Sequence, residues 1–365
     1  MPSIIKSIIV VGGGTGGHLF PAIATGEELV KKGYKVHLIT DPRCKKYLTD
    51  NLTLTAHIID LKTPGKGGLS KIYFIISLLI AIFKAMILIR SIKPKVIIGF
   101  GGYPAFPPLI SSILLRIPII IHEQNCFLGK VNKFFLRFAT KVALSYKEIK
   151  NLNFLDKEKI VFTGNIVREN IKNLPIKNDF NNTPFRIFIF GGSQGAKIFT
   201  DIIPNSIKLL LQAHPNIKLY ITQQARYEDH KQIAEIYSDL NVPHKLSEFF
   251  HDMAEQYQKQ ELIIARAGAS TIGEITYAAI PTIFIPLPSA AQNHQFYNAK
   301  AIEESGGGWC FEQNKISTAE LAAKIFILIT NRDLLLQASR NLLKRKSDGA
   351  QLLADMVDKM VIRSL

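Results

Sequence analysis

Two stretches of this chain repeat one construction, a run of β-branched and aromatic residues that ends in glycines. "SIIVVGGGTGGH" occupies residues 7–18 and "FRIFIFGGSQGAK" residues 185–197. An apolar run without polar alternation reads as a strand buried on both faces, which requires helices on both sides of a parallel sheet. Glycines directly after such a strand let the backbone turn tightly and let a ligand come close. The construction therefore predicts strand, glycine loop and helix N-terminus, twice.

The same alternation fills the intervening chain. "KVHLIT" (35–40), "KVIIGF" (95–100), "PIIIHE" (118–123) and "KVALSY" (141–146) read as further buried strands, with 20–32, 70–91 and 128–139 as helices between strands. Residues 165–184, "NIVRENIKNLPIKNDFNNTP", are polar, Asn-rich and strand-free, and read as a linker. "IKLYIT" (217–222), "LIIARAGAS" (262–270) and "PTIFIPLP" (281–288) continue the second series. The expectation is an α/β chain of two similar, doubly wound domains, 1–165 and 166–344, facing a cleft that holds the active site. The tail is helical in pattern, and its last part, about 345–365, can return to the first domain.

Composition narrows the class. The formal net charge of +16 points to an anionic partner, either a phosphorylated substrate, nucleic acid or an anionic membrane, or else to a Lys-rich surface with no such role. No aromatic–basic repeat or finger motif points to nucleic acid. Cys44, Cys126 and Cys310 lie far apart without a C-x-x-C pair, which argues against a disulfide framework or a zinc site and fits a reducing compartment. The apolar start reads as a first strand rather than a signal peptide, since glycines and no small-residue cleavage site follow it.

Gly12, Gly14 and Gly17 satisfy G-x-G-x-x-G, and Asp41 ends the second strand about where a ribose-binding acid stands in dinucleotide-binding proteins. Gly13 and Gly16 make the loop more open than a pyrophosphate needs, and His18 opens the helix. A histidine at a helix N-terminus meets the positive end of the dipole, which favours the neutral imidazole, a general base near pH 7. The plainer reading is a histidine that caps or packs. The second loop offers backbone N–H groups, the Ser193 hydroxyl and a helix N-terminus, an anion site, or simply a tight strand-to-helix turn. "RAGASTIGE" (266–274) repeats the device with Glu274 one turn into its helix. That carboxylate suits a sugar diol such as a ribose, or complements the helix dipole. Two phosphate-type loops and an acid suggest a nucleotide diphosphate.

"GGTGGH", "GFGGYPAFP" (99–107), "IHEQN" (121–125), "GNIVR" (164–168), "GGSQGA", "RAGASTIGE" and "HQFYNA" (294–299) occur in this order. Together they resemble the glycosyltransferases of peptidoglycan synthesis that form lipid II, the undecaprenyldiphospho-muramoylpentapeptide β-N-acetylglucosaminyltransferases, over about residues 7–345. The resemblance implies a GT-B fold of two Rossmann-like domains and transfer of N-acetylglucosamine from UDP to the muramoyl 4-hydroxyl of lipid I. It implies inversion at the anomeric centre, with no metal and no separate cofactor. Carried over by position, Thr15, Gly16 and Gly17 would face the donor sugar and diphosphate, and Asn125 would hold the donor sugar. Arg168 and Ser193 would contact the diphosphate, and Phe250 would contact uracil largely through its backbone. Ala269, Ser270 and Thr271 would bind phosphate, Glu274 the ribose, and Gln295, with His294 and Asn298, the sugar hydroxyls. His18 and Glu123 are rival candidates for the base that deprotonates the acceptor. The other readings are a GT-B transferase acting on another membrane lipid, an NAD-dependent oxidoreductase, and a non-catalytic nucleotide-sugar or lipid-binding protein.

"KIYFIISLLIAIFKAMILIR" (71–90) is apolar on nearly every face and interrupted by Lys84. It reads as a membrane span, a wholly buried crossover helix, or a helix with one face in the core and the rest on lipid. The resemblance favours the last, because its acceptor carries a polyprenyl anchor. Lys71, Lys84, Arg90, Arg116, Lys133, Arg137 and Lys141 would form a basic rim around it. The expectation is a peripheral protein on the cytoplasmic face of the inner membrane. Its partners would be UDP-N-acetylglucosamine, lipid I, an anionic membrane surface and other cell-wall enzymes, with no nucleic acid.

Overall fold

The computed structural model describes residues 5–48, 52–62, 68–147, 149–152, 157–192 and 196–363. These divide into two compact units, residues 1–168 with 347–365, and residues 169–346.

In the first unit the chain runs β1 (Ser7–Val11), α1 (Gly16–Lys31), β2 (Lys35–Thr40), β3 (Thr55–Ile58), α2 (Gly68–Ile92), β4 (Ile97–Gly99), α3 (Phe106–Leu114), β5 (Ile119–Glu123), α4 (Lys130–Phe135), β6 (Lys141–Leu144) and β7 (Ile160–Phe162). Among the described residues the strands form one parallel sheet of seven, ordered β3-β2-β1-β4-β5-β6-β7. The strand order reverses at β1, which pairs with β2 on one side and β4 on the other. Val11 therefore stands opposite both Ile39 and Gly99. In open α/β sheets a ligand crevice forms outside the carboxyl ends of the strands at this switch.

Both faces of this sheet are covered at its inner strands, which is why these carry no polar alternation. Ile8, Val10 and Leu38 face α1 and the last helix of the chain. Ile9, Val11, Ile97 and Ile121 face α2 and α3. Residues 165–168 are not a loose connection, because Ile166 is buried in the core of this unit.

The second unit opens with α5 (Glu169–Lys172), and then β8 (Phe185–Phe190), α6 (Lys197–Ala213), β9 (Leu219–Gln224), α7 (Tyr227–Asp239), β10 (His244–Ser247), α8 (Met253–Lys259), β11 (Leu262–Ala265), α9 (Ala269–Ala278), β12 (Thr282–Phe284), α10 (His294–Glu304), β13 (Gly308–Cys310), α11 (Thr318–Thr330) and α12 (Arg332–Leu343) follow. Among the described residues its sheet is also all parallel, ordered β10-β9-β8-β11-β12-β13, with the reversal at β8. The stretch expected to be a linker is anchored here as well. Phe180 is wholly buried with Phe185, Ile187 and Leu219, and Lys177 donates to Glu261, which is itself buried. Its Asn-rich composition hid two apolar anchors, Ile171 and Phe180, spaced too far apart to read as an element.

The helix α13 (Gly349–Arg363) belongs to the first unit and packs on α1. Leu353, Ala354 and Val357 enter the core, Lys32 pairs with Asp355 at 2.6 Å, and the Tyr34 hydroxyl donates to Asp358.

Among the described residues α2 is the one helix long and apolar enough to cross a membrane. Ala81, Ala85 and Ile89, four apart, form a seam buried in the core. The Ser111 hydroxyl of α3 donates to the Ile82 carbonyl at 2.9 Å. The opposite face is bare: Ile75 is 53% exposed, Leu79 62% and Phe83 59%.

Candidate active site

The loop after β1 is built by a carboxylate. Asp41, at the end of β2, is buried, and it accepts hydrogen bonds from the Gly14 N–H and from Arg43 N and Nε, the last two at 2.9 Å. It is thereby spent inside the protein, so the acid that a dinucleotide-binding reading would assign to a ribose is holding the glycine loop instead.

Thr15 is the N-cap of α1, and Gly16, Gly17 and His18 form its first turn. The Thr15 hydroxyl lies 3.2 Å from His18 Nδ1. Across the strand switch, the loop after β4 meets the same histidine. Gly102 has φ +75°, and a Cβ there would stand 2.9 Å from the Gly13 carbonyl and 3.1 Å from His18 Nδ1. Glycine is required both by the backbone angle and by this approach. The sequence motif "GFGGYPAFP" contains the signal, a pair of glycines directly after a strand, but not the partner it meets.

Arg168 ends the "GNIVR" motif, the last of this unit's motifs. Its guanidinium lies 5.1 Å from the centre of the Phe20 ring, one turn along α1 from Gly16 and Gly17. A cation–aromatic contact of this kind contributes about 0.5–1 kcal/mol at exposed sites. It brings a fixed positive charge beside the N-terminal turns of α1.

Glu123 ends β5 and is buried. Its Oε1 accepts from the Asn125 backbone and side-chain nitrogens, each at 3.1 Å. Its Oε2 accepts from Gly129 N at 2.9 Å and Asn132 Nδ2 at 2.8 Å. Four donors converge on one carboxylate, which ties the 124–129 turn to α4 and sets the orientation of Asn125. The turn therefore has its shape before any ligand arrives.

In the second unit, Ser193 lies outside the described residues. Its flanks are described: Gly191 N donates to Gln224 Oε1 at 3.1 Å, and Gly192 has φ +86°. Phe250 is buried against Phe188, ring centres 5.2 Å apart, so its ring is taken up inside the unit. Ala269, Ser270 and Thr271 form the half-exposed first turn of α9, with Gly268 as N-cap and no acid among them. The first-turn N–H groups of a helix have no intrahelical acceptor, and with the dipole they suit an anion.

Glu274, on the next turn, is buried and accepts from the Tyr257 hydroxyl at 3.0 Å. Gln295 Oε1 accepts from Leu287 N at 3.0 Å, and His294 Nδ1 lies 2.7 Å from the Ala291 carbonyl. The turn before α10 holds Gln292 and Asn293 in the left-handed region. Asn298 is wholly buried and donates to the Ala267 carbonyl at 3.1 Å. It thus shapes the approach to α9 from within rather than offering an exposed amide.

Arg266, absent from the expected site, proves central to this unit. It is buried, donates to the Ile285 and Pro286 carbonyls at 2.8 and 3.0 Å and to Gln313 at 2.7 Å, and burial lowers its pKa to about 10. Its place just before the α9 loop was the available signal. Among the described residues no group of three or more His, Cys, Asp or Glu side chains is arranged to hold a metal ion.

Models of the glycosyltransferase family 28 N-terminal and C-terminal domains match residues 8–144 and 186–353. A Rickettsia canadensis protein named UDP-N-acetylglucosamine–N-acetylmuramyl-(pentapeptide) pyrophosphoryl-undecaprenol N-acetylglucosamine transferase is 54% identical over 358 residues, 98% of this chain and 100% of that protein. A Rickettsia felis protein of the same name is 53% identical over 365 residues, with the same coverage. The crystal structure of Acinetobacter baumannii MurG aligns with a TM-score of 0.77 at 29% identity, over 97% of this chain and 99% of that one. A UDP-GlcNAc 2-epimerase from Neisseria meningitidis, bound to UDP-GlcNAc, aligns at 0.69 and 14% identity over 98% and 100%, a likeness of fold alone.

Proposed function

The chain belongs to glycosyltransferase family 28 and has the GT-B fold, and from that membership we propose how its residues carry the reaction. The protein is an N-acetylglucosamine transferase that takes its sugar from UDP-N-acetylglucosamine and delivers it to lipid I, forming lipid II. The observation that carries this is identity above one half along nearly the whole chain to two transferases of that name. The readings as an oxidoreductase or a binding protein fall with it.

In our reading the acceptor is the muramoyl 4-hydroxyl. Its oxygen attacks the anomeric carbon, the bond from that carbon to the diphosphate breaks, and UDP leaves with the electron pair, so the configuration inverts. The hydroxyl proton passes to His18. Two observations support that choice. The Thr15 hydroxyl lies 3.2 Å from Nδ1, where it can accept from Nδ1–H and so leave the lone pair on Nε2, and the first turn of α1 favours the neutral ring. Glu123, by contrast, already carries four donors, and we assign it to orienting Asn125 toward the donor sugar.

The leaving diphosphate gathers negative charge as it departs. The N–H groups of Ala269 to Thr271, the dipole of α9, Ser193 and Arg168 are the groups we assign to it. These donors supply the neutralisation that a divalent cation supplies elsewhere, and metal independence is part of the proposal on that ground. Glu274 takes the ribose hydroxyls, the Phe250 backbone reads uracil, and Gln295 with His294 meets the sugar. Membrane docking at the cytoplasmic face is assigned to the bare side of α2. Lys71, Lys84, Arg90, Arg116, Lys133 and Arg137 are exposed as a rim needs, whereas Lys141 is half-buried and donates to the Glu158 carbonyl at 2.7 Å.

The test is incubation with UDP-N-acetylglucosamine and a lipid I analogue, with UDP release followed. Release that requires both substrates is expected. No release, or equal release from a GDP-sugar, would overturn the reading.

A further inference from the structure

Glu274 is not oriented by its own helix alone. Its Oε2 accepts from the hydroxyl of Tyr257, which comes from α8, a separate element packed on both α9 and β8. The Tyr257 side chain is wholly buried. Its ring stands 6.5 Å from Phe188 and 6.3 Å from Phe190, and Phe188 meets Phe250 edge-on at 5.2 Å. A buried phenol needs an acceptor and a buried carboxylate needs donors. The bond satisfies both, and it also joins two places with separate assignments. At one end is the acid given to the ribose. At the other is the aromatic cluster that holds the residue given to uracil.

We propose that Tyr257 is a positioning residue that fixes the rotation of the Glu274 carboxylate toward the ribose hydroxyls, so that the sugar of the nucleotide, and not the base alone, decides donor choice. The inference rests on Glu274 being the ribose acceptor. A carboxylate held at one oxygen by a rigid, buried donor cannot turn to follow a ligand. It therefore meets a 2′,3′-diol in one geometry, and a donor lacking one hydroxyl gives up a hydrogen bond to that carboxylate. Tyr257 touches neither the reacting atoms nor, in this reading, the substrate. Its effect passes through Glu274.

The test is titration of the full chain with UDP and with 2′-deoxy-UDP, in the unmodified protein and in Tyr257→Phe, Glu274→Ala and the double variant. The unmodified protein is expected to prefer UDP. Tyr257→Phe should weaken UDP binding about tenfold, the scale of one hydrogen bond to a charged group, while 2′-deoxy-UDP changes less than about twofold on the same scale. Added to Glu274→Ala, Tyr257→Phe should cost nothing further. Equal loss for both ligands in Tyr257→Phe would overturn the proposal, because a packing defect does not distinguish a ribose from a deoxyribose.

Glu274→Gln gives an independent reading should the tyrosine variant fail to fold. With its single oxygen accepting from the phenol, it offers the ribose an amide donor in place of an acceptor, so its preference for UDP should fall below that of the unmodified protein. A glutamine variant that keeps the preference would show that the phenol does not set the orientation. A different result sinks the premise instead: if Glu274→Ala itself still prefers UDP, Glu274 is not the ribose acceptor.

Discussion

The backbone and side-chain nitrogens of Asn125 both donate to one oxygen of Glu123, each at 3.1 Å. With Gly129 and Asn132 on the other oxygen, a proton arriving at this carboxylate would displace a hydrogen bond already made. The two candidate bases therefore predict different phenotypes. His18→Ala should lower kcat about a hundred- to ten-thousand-fold with UDP affinity nearly intact. Glu123→Gln should instead destabilise the first unit by about 1–3 kcal/mol, since its amide nitrogen faces donors, and should raise the donor KM. Steady-state kinetics with thermal unfolding separates the two. A large kcat loss confined to a normally stable Glu123→Gln would reverse the roles.

The donor assignment turns on Glu274. Glu274→Ala should raise the KM for UDP-N-acetylglucosamine sharply, because a site built around hydroxyls loses their pairing. An unchanged donor KM would remove Glu274 from the nucleotide site.

Neutralisation of the diphosphate by the α9 turn and Arg168 predicts full activity in excess EDTA. Reaction rates with and without chelator decide it. Complete loss, restored by magnesium or manganese, would mean that a cation shares the charge.

The outward face of α2 makes a prediction about vesicles. Ile75→Glu with Leu79→Glu should weaken co-sedimentation with anionic vesicles, yet spare transfer to a short-chain soluble acceptor. Binding should fall in high salt and on neutral lipid, since each basic group near an anionic leaflet contributes about 1 kcal/mol. Pelleting that resists alkaline carbonate would indicate a span, and no pelleting at all a helix with no membrane role.

Acid should loosen the first unit through His122, whose wholly buried imidazole has its pKa pushed down to about 3 by burial. The ring is neutral in the folded chain, whereas in the unfolded chain it takes a proton near pH 6.5. Its contribution to stability is therefore complete above about pH 6.5 and is lost on acidification toward pH 3, at about 1.4 kcal/mol per pH unit. His37 and His57, whose ring nitrogens lie 3.0 Å apart, are shifted the same way by burial. Melting temperatures between pH 7 and 5 should fall less steeply in His122→Gln than in the unmodified protein. Parallel curves would assign the acid sensitivity to other groups.

The strands that lie inside each sheet were legible because burial on two faces leaves mostly β-branched and aromatic residues, as in "SIIVV" and "FRIFIF". Edge strands such as Lys141–Leu144's neighbour β7 and the polar β10, "HKLS", were not, since three or four half-exposed residues carry no distinctive pattern. The glycine loops were legible as places of close approach. What approaches them was not: Gly102 meets His18 across 84 residues of sequence, and Asp41 reaches back to Gly14. The same holds for Tyr257, a lone tyrosine whose meaning lies wholly in the helix beside it. The orientation of α2 was hidden by an all-apolar face, although the alanines at 81 and 85 marked the seam.

The return of α13 to the first unit has a consequence for synthesis. Residues 169–346 form a contiguous unit, and every residue of its core has been made before α13 exists. The first unit, begun earliest, lacks Leu353, Ala354 and Val357 from its core, and the Lys32–Asp355 pair, until the ribosome has passed residue 358. Domains generally fold in the order of emergence; here the discontinuous unit closes last, so the bare face of α2 is carried by a chain whose own core is still open while the second unit is already complete.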